Sequence, residues 1–160
     1  MLVGIGLDSH EFEEDSRRPL VLGGIEIEGE PKLKAHSDGD VILHSLFNAI
    51  SSALGNRSIG YYHSDKIEEK RGISSTKYME TVKEMMKKNE VKLKNISIAI
   101  EAKKPRLEKY IPEMKEKISG IFDLEKSRIG ITATSGEKLT ACGRGKGIKV
   151  ISSVSLGNKY

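Results

Sequence analysis

The nine-residue stretch His-Ser-Asp-Gly-Asp-Val-Ile-Leu-His, residues 36–44, constrains this chain more than any other part of its sequence. It places two imidazoles, two carboxylates and a hydroxyl directly before an apolar run with helical spacing. Apolar side chains recur there at a period near 3.6 and so share one helix face: Leu43, Leu46, Phe47, Ile50 and Leu54. The stretch therefore predicts a polar loop that leads into an amphipathic helix, with His44 at the edge of the apolar face.

A second polar group follows the first apolar run of the chain. Residues 1–5 have the composition of a short buried strand, and if that strand stays extended, Asp8 and His10 lie on the same side of it. Imidazole nitrogens and carboxylate oxygens are ordinary zinc ligands, and three protein ligands with one open position are typical of catalytic zinc sites. Asp8, His10 and His44 would make such a set, which leaves His36 to contact a substrate.

Both motifs also have plainer interpretations. Asp-x-His is a common tripeptide, and histidine is a frequent surface or core residue as well as a metal ligand. The Asp38-Gly39-Asp40 segment equally fits a turn that caps the following helix, because aspartate accepts hydrogen bonds from the free N–H groups at a helix start. Neither motif decides the matter alone.

Composition sets the class of protein. The length of 160 residues predicts a single domain over residues 1–160. The composition, with 37% hydrophobic and 31% charged residues, predicts a soluble globular fold. The net charge of +4 suits anionic ligands, but no basic run is interleaved with aromatic residues, so we expect no nucleic-acid groove. A lone cysteine, Cys142, excludes an internal disulfide and indicates a reducing compartment. With no apolar run near ~18 residues and no room for a leader before the first strand, we expect no membrane association and a cytoplasmic location.

The remaining elements follow from periodicity. Glu11 to Arg18 has the composition of a solvated charged loop. We predict a strand, a Gly-Gly turn and a second strand over 20–27, a helix capped by Ser74 or Ser75, a long strand over 91–102 with a slip near Asn95, a helix from Ile111, and strands over 128–133 and 146–156.

Two further segments have alternative interpretations. Lys103-Lys104-Pro105-Arg106 follows the end of a predicted strand and fits either a solvated surface or a phosphate-binding site. Residues 134–147 mix hydroxyls, glycines and cations, which suits phosphate oxygens but equally suits a long hairpin turn. The second segment is not a P-loop, because the Gly-x-x-x-x-Gly-Lys-Ser/Thr order is missing.

Taken together, these motifs resemble those of the 2-C-methyl-D-erythritol 2,4-cyclodiphosphate synthase family. The shared elements are Gly-Leu-Asp-Ser-His, Leu-Gly-Gly, Ala-His-Ser-Asp-Gly-Asp-Val-Ile-Leu-His, Ile-Gly, Lys-Pro-Arg-Leu and Gly-Arg-Gly-Lys-Gly-Ile. They occur in the family's order and extend from residue 2 to about residue 156. The His-Ser-Asp-Gly-Asp-x-x-x-His element is the most specific of them.

The resemblance implies a fold, an assembly and a reaction. The fold is α/β (α+β), a single-domain protomer with a mixed β-sheet packed against about three helices. The protomers form a homotrimer with active sites between neighbours. The enzyme is a phosphorus–oxygen lyase of the non-mevalonate isoprenoid pathway, which converts 4-diphosphocytidyl-2-C-methyl-D-erythritol 2-phosphate to the cyclic 2,4-diphosphate and CMP.

The resemblance also implies roles for particular residues. Asp8, His10 and His44 would hold Zn²⁺ or another divalent transition metal, and Glu137 would bind the Mg²⁺ or Mn²⁺ that bridges the substrate's diphosphate. His36 and Ser135 would stabilise the transition state. The implied substrate contacts are Ser37, Asp38, Ser58, Ile59, Gly60, Asp65, Ala102, Lys103, Lys104, Pro105, Arg106, Thr134, Gly136, Ala141 and Arg144.

Several positions depart from the family's pattern. Ser58 stands where an aspartate is usual, His63 where a phenylalanine is usual, and Ala141 where a phenylalanine is frequent. These positions surround the sugar-like part of the substrate, so they concern substrate fit more than phosphate chemistry. One alternative is a non-catalytic zinc-containing protein that binds a nucleotide or an isoprenoid phosphate. Another is a zinc-dependent phosphate-ester hydrolase, which would need an activated water.

Overall fold

The computed structural model describes residues 1–14, 16–63 and 72–159. Its strands are β1 (Leu2–Glu11), β2 (Pro19–Leu22), β3 (Ile25–Pro31), β4 (Val91–Glu101), β5 (Ile129–Thr134) and β6 (Gly147–Asn158). Its α-helices are α1 (Val41–Ala53), α2 (Ile59–Tyr62), α3 (Ser75–Lys88) and α4 (Ile111–Phe122). Single 3₁₀ turns lie at Glu108–Tyr110, Lys126–Arg128 and Gly136–Lys138.

The main sheet has four strands in the order β1-β6-β4-β5. β6 is antiparallel to both of its neighbours, whereas β4 and β5 are parallel, so the sheet is mixed as expected. The register of β4 against β6 shifts between Leu93 and Asn95, where the sequence predicts a slip. β2 and β3 form a separate two-stranded sheet. Because β4 lies between β5 and β6, the segment over 134–147 is not a hairpin turn, and that interpretation was wrong.

The helices confirm most of the periodicity argument. Ser74 caps α3, with its side chain accepting a hydrogen bond from the Thr76 N–H, and Pro112 lies in the first turn of α4. The described residues form four α-helices where about three were expected. The additional helix is α2, whose four residues are too few to show a helical period of apolar side chains. None of the helices in these residues is long and apolar enough to cross a membrane.

Helix α1 packs directly on the backbone of β1 because that strand has glycine at two inward-facing positions. A Cβ on Gly4 would lie 2.0 Å from the Ala49 carbonyl oxygen, and one on Gly6 would lie 2.0 Å from the Ser45 carbonyl oxygen. Both distances are far shorter than any real contact of a Cβ atom. The Gly-x-Gly pattern therefore sets the spacing between β1 and α1, and with it the position of His44 relative to the strand.

The N-terminus of α1 is joined to the β2–β3 turn by Asp40. This fully buried carboxylate accepts hydrogen bonds from two N–H groups in the first turn of α1, at 3.1 Å each, and from the N–H groups of Gly23 at 2.9 Å and Gly24 at 2.6 Å. Burial and the charge of Asp38 raise the pKa of Asp40 to about 6, while the backbone N–H groups favour the carboxylate. The capping interpretation is thus confirmed for Asp40.

The opposite face of the main sheet is not covered by any described element. Its apolar side chains on β1 are half or more exposed, with Val3 at 64%, Ile5 at 66% and Leu7 at 52%, and Leu7 pairs with the exposed Ile151 on β6. An apolar sheet face of this kind is unusual on a monomer and is typical of an interface.

Candidate metal centre and active site

Asp8, His10 and His44 converge as the sequence predicts. Asp8 and His10 follow Gly4 and Gly6 at every second position of β1, so they lie on the same side of the strand, which faces α1. The Asp8 Oδ2 atom lies 3.1 Å from His10 Nε2 and 3.1 Å from His44 Nδ1. All three candidate ligand atoms lie within 4.8 Å of one another.

This geometry fits a metal ion. Ligand distances of about 2.0–2.2 Å around zinc place neighbouring donor atoms roughly 3–4 Å apart. The Asp8 oxygen lies 3.1 Å from each histidine nitrogen, in agreement with this spacing. Burial raises the pKa of Asp8, but the hydrogen bonds and charges of His10 and His44 outweigh it and lower that pKa to about 2. Asp8 is therefore a carboxylate at neutral pH, which is the form that binds a metal.

The second ring nitrogen of His44 has partners of its own. His44 Nε2 lies 2.8 Å from Ser75 Oγ and 3.3 Å from Ser37 Oγ. Ser75 Oγ in turn donates a short hydrogen bond to Asp38. Sequence reasoning treated Ser75 only as a candidate helix cap, and no local signal could have placed it beside a histidine 31 positions earlier in the chain.

The three candidate ligands open onto a pocket that contains other predicted residues. Four predicted site residues line it: His36, Ser37, Ile59 and Gly60. His36 is exposed and Ser37 is buried, so His36 is the side chain that is available at the mouth of the pocket.

Glu13 and Arg18 were not predicted to lie at this pocket, whereas His63 was expected near the substrate. Glu13 and Arg18 line it, and Glu13 forms an ion pair with Lys32 at 2.9 Å. Arg18 is exposed, as the solvated-loop interpretation expects, but that interpretation did not anticipate that Glu13 and Arg18 line a pocket. His63 also lines the pocket, stacks on Tyr78 with ring centroids 4.4 Å apart, and lies 2.9 Å from Thr81 Oγ1.

The other residues predicted near this end of the site are placed as follows. Ser58 is exposed and precedes α2 without a capping hydrogen bond from its side chain. The Asp38 carboxylate accepts hydrogen bonds from Ser75 and from the Asp40 N–H. Asp65 lies outside the described residues. Substrate binding by these three residues stays a prediction.

The two segments predicted to bind the nucleotide lie next to each other. Ala102 N–H donates to the Thr134 carbonyl oxygen at 2.9 Å, which joins the end of β4 to the end of β5. Lys103, Lys104 and Arg106 follow, all three exposed. Pro105 is joined to Lys104 by a cis peptide bond, and Ala141 is exposed in the second segment.

The second segment has an unusual backbone. Gly136, Glu137 and Lys138 have φ angles of 71°, 47° and 63°, a run of left-handed conformations that is costly for the two non-glycine residues. Ser135 Oγ donates to Glu137 Oε1 at 3.0 Å, and the Arg144 guanidinium donates to the carbonyl oxygen of Lys138 at 3.3 Å. The predicted catalytic serine, the predicted Mg²⁺ ligand and Arg144 thus belong to one loop, residues 134–147, which these hydrogen bonds hold in shape. We call it the braced loop.

Within one protomer, this loop and the metal cluster lie apart. Asp8 is on β1 and Thr134 on β5, the two edge strands of the sheet. Three strand spacings separate these edges by about 14 Å. Asp8 faces the helices, whereas Thr134 shares the uncovered face with Thr132. The predicted site residues therefore form two groups rather than one.

Comparison with known proteins finds relatives of one kind, in sequence and in structure. A 2-C-methyl-D-erythritol 2,4-cyclodiphosphate synthase from Halothermothrix orenii is 41% identical over 98% of this chain and 93% of its own length. The solved structure of the bifunctional IspDF from Campylobacter jejuni is 37% identical to this chain, with a TM-score of 0.90. The match covers 97% of this chain but only 42% of that longer polypeptide. The structure of Plasmodium falciparum IspF in complex with CDP is 26% identical to this chain with a TM-score of 0.86, and the match covers 99% of this chain and 97% of that one.

The YgbB family model matches residues 1–157, almost the whole chain. This match and the named relatives confirm the resemblance drawn from the motifs. The chain belongs to the YgbB family, the family of the 2-C-methyl-D-erythritol 2,4-cyclodiphosphate synthases.

Proposed function

We propose that this protein converts 4-diphosphocytidyl-2-C-methyl-D-erythritol 2-phosphate to the cyclic 2,4-diphosphate and CMP, as a metal-dependent phosphorus–oxygen lyase in the cytoplasm. An oxygen of the 2-phosphate attacks the β-phosphorus, a new P–O bond closes the ring, and the bond from the β-phosphorus to the bridging oxygen breaks, so that CMP leaves. The observation that carries the proposal is the Asp8–His10–His44 cluster, which lines a pocket in a member of this family.

Attack of one phosphate on another is opposed by repulsion between like charges, so catalysis depends on positioning and charge neutralisation. Zn²⁺ or a similar metal on Asp8, His10 and His44, and Mg²⁺ or Mn²⁺ on Glu137 and the diphosphate, would supply Lewis-acid charge neutralisation. His36, exposed at the pocket, donates to charge that develops on the β-phosphate. Ser135 has the same role from the braced loop.

We propose that the two loops at the ends of β4 and β5 bind the cytidine and its diphosphate. The contacts come from Ala102 to Arg106 and from Thr134 to Glu137, with Arg144 holding the second loop in shape. Consistent with this, the Plasmodium falciparum relative with the same fold was solved as a CDP complex. The sugar-like end of the substrate then lies against Ser58, Ile59 and Gly60.

We further propose that the enzyme is a homotrimer whose sites lie between protomers. One diphosphate cannot contact both groups of site residues in a single protomer, because about 14 Å and the thickness of the sheet separate them. Placing the loop of one copy beside the metal cluster of the next removes this conflict. The uncovered apolar face around Ile5 and Leu7 offers the surface for such an assembly.

The test is to incubate the purified protein with the substrate, Zn²⁺ and Mg²⁺, and to follow the products by phosphorus NMR. Cyclic diphosphate with an equal amount of CMP supports the proposal, and no CMP release from zinc-loaded protein contradicts it. Inorganic phosphate or linear products would indicate a hydrolase instead. His36→Ala separates an enzyme from a binding protein, because an enzyme loses turnover while it keeps its zinc and its affinity for CDP.

A further inference from the structure

We propose that Ser75 and Asp38 form a hydrogen-bond relay that positions His44 and fixes which of its ring nitrogens faces the metal. Ser75 is then a positioning residue for the reaction, acting through His44 and not touching the substrate. The inference rests on the proposed metal site of Asp8, His10 and His44. It does not depend on the identity of the substrate.

Successive short contacts connect four side chains, from Asp8 through His44 and Ser75 to Asp38. His44 Nδ1 lies 3.1 Å from Asp8 Oδ2, on the metal side of the ring. On the other side, His44 Nε2 lies 2.8 Å from Ser75 Oγ. Ser75 Oγ is within short hydrogen-bond distance of Asp38 Oδ1, and Ser75 N–H donates to Asp38 Oδ2 at 2.9 Å.

The positions of the protons follow from what each group can donate. A carboxylate only accepts hydrogen bonds, so the single hydroxyl hydrogen of Ser75 points to Asp38. The Ser75 oxygen must then accept from His44, which places the ring proton on Nε2. The lone pair of a neutral His44 is consequently on Nδ1 and faces the Asp8 oxygen at 3.1 Å. In the metal-free protein only a second ring proton, on Nδ1, could bridge these two acceptor atoms, and a bound metal ion would take the place of that proton.

The relay is built into the packing and is not a surface contact. Ser75 is fully buried and is the first residue of α3. The loop that carries Asp38 is fastened to the start of α3 by two backbone hydrogen bonds, Asp38 N–H to the Ile73 carbonyl at 3.1 Å and Gly72 N–H to the His36 carbonyl at 2.8 Å. The orientation of the His44 ring is thereby tied to the position of α3.

Ser75→Ala removes the hydroxyl, and among the described residues it leaves Nε2 with the more distant Ser37 Oγ, at 3.3 Å. Loss of the hydrogen-bonding partner of a metal-binding histidine lowers metal affinity by about 10- to 100-fold. The neighbouring Ser74 supplies the matched control. Its side chain is exposed and accepts from Thr76 N–H at 3.4 Å, so Ser74→Ala removes a serine hydroxyl from the same turn without touching His44.

The experiment measures Zn²⁺ affinity by competition with a chromogenic chelator, on full-length protein stripped of metal, together with the thermal unfolding of the metal-free protein. We expect Ser75→Ala to bind Zn²⁺ about 10- to 100-fold more weakly than wild type, with Ser74→Ala unchanged. In the zinc-loaded wild type labelled with ¹⁵N-histidine, the Nε2 proton of His44 should be protected from solvent exchange, and the protection should be lost in Ser75→Ala.

A second pair of variants covers the case in which Ser75→Ala does not fold. Ser75→Thr and Ser75→Val have nearly the same shape and differ in the hydroxyl, so the relay predicts weak zinc binding only in the valine variant. Wild-type affinity in a folded Ser75→Ala, or equal affinity in the threonine and valine variants, overturns the relay. Failure of the wild type itself to bind Zn²⁺ overturns the metal site, and the relay with it.

Discussion

Replacing Gly6 by alanine tests how the fold positions the metal cluster. The added Cβ would lie 2.0 Å from the Ser45 carbonyl oxygen and 2.4 Å from the Ala49 nitrogen, and both atoms belong to the backbone of α1. Backbone atoms of a helix cannot swing away as a flexible side chain can. The helix as a whole must therefore move away from β1 or the strand must bend.

The size of the effect follows from the contact distance. Ordinary contact begins at 3.4 Å, so α1 must retreat by about 1.4 Å along the line to Ser45. Overpacking of this kind costs about 3 kcal/mol, the upper part of the usual range. For a chain of this size that corresponds to a fall in Tm of roughly 6–12 °C. His44 lies on the displaced helix, and metal–ligand distances tolerate only about 0.2 Å, so zinc affinity falls at least about tenfold.

The assay compares wild type, Gly6→Ala and the control Gly120→Ala by thermal unfolding of metal-free protein and by zinc titration. Gly120 lies in α4 with nothing within 4 Å of the position of its added Cβ, so the control keeps its zinc affinity and gains up to about 1 kcal/mol. A Gly6→Ala protein with the Tm and zinc affinity of wild type would refute the argument that glycine sets the spacing between β1 and α1.

Three further outcomes are expected. In metal-free protein the lowered pKa of Asp8, about 2 against an ordinary 3.8, stabilises the fold above about pH 4, and this contribution is lost as the pH falls toward 2. Urea unfolding should therefore show wild type losing about 2 kcal/mol more than Asp8→Asn between pH 5 and pH 2, and parallel pH profiles would contradict this. Asp40→Ala should destabilise the protein by about 3 kcal/mol in urea, because a helix cap is lost and the N–H groups of Gly23 and Gly24 lose their acceptor. An unchanged urea midpoint would count against that account of Asp40. Leu7→Lys places a charge on the uncovered sheet face and should convert a trimer to monomers in light scattering, whereas a wild type that is already monomeric would rule out the shared site.

Much of the fold was accessible from local patterns. A serine cap at Ser74 or Ser75, the proline in the first turn of α4 and the slip near Asn95 were predicted from the sequence, and the structure has all three, with Ser74 as the cap. Each of these features depends on neighbouring residues only. The short helix α2 was missed because four residues are too few to show a helical period.

For the site, too, some residues were predicted from local sequence patterns and others were missed. The donors Asp8, His10 and His44 were predicted from residue chemistry, strand alternation and the position of His44 at the start of a helix, and the structure brings them together. The pocket-lining positions of Glu13 and Arg18 were missed, because a run of charges in sequence does not reveal which of its members fold back over a cavity.

The sequence alone determined the type and approximate extent of most helices and strands, the set of candidate metal ligands and the family. It did so because periodicity, capping and motif spacing are properties of nearby residues. Only the tertiary structure decided that β4 separates β5 from β6, that Ser75 meets His44, and that the two groups of site residues lie on opposite edges of the sheet. These relations depend on which surfaces pack together, and the contact of α1 with Gly4 and Gly6 shows how backbone sterics between distant segments fix that choice.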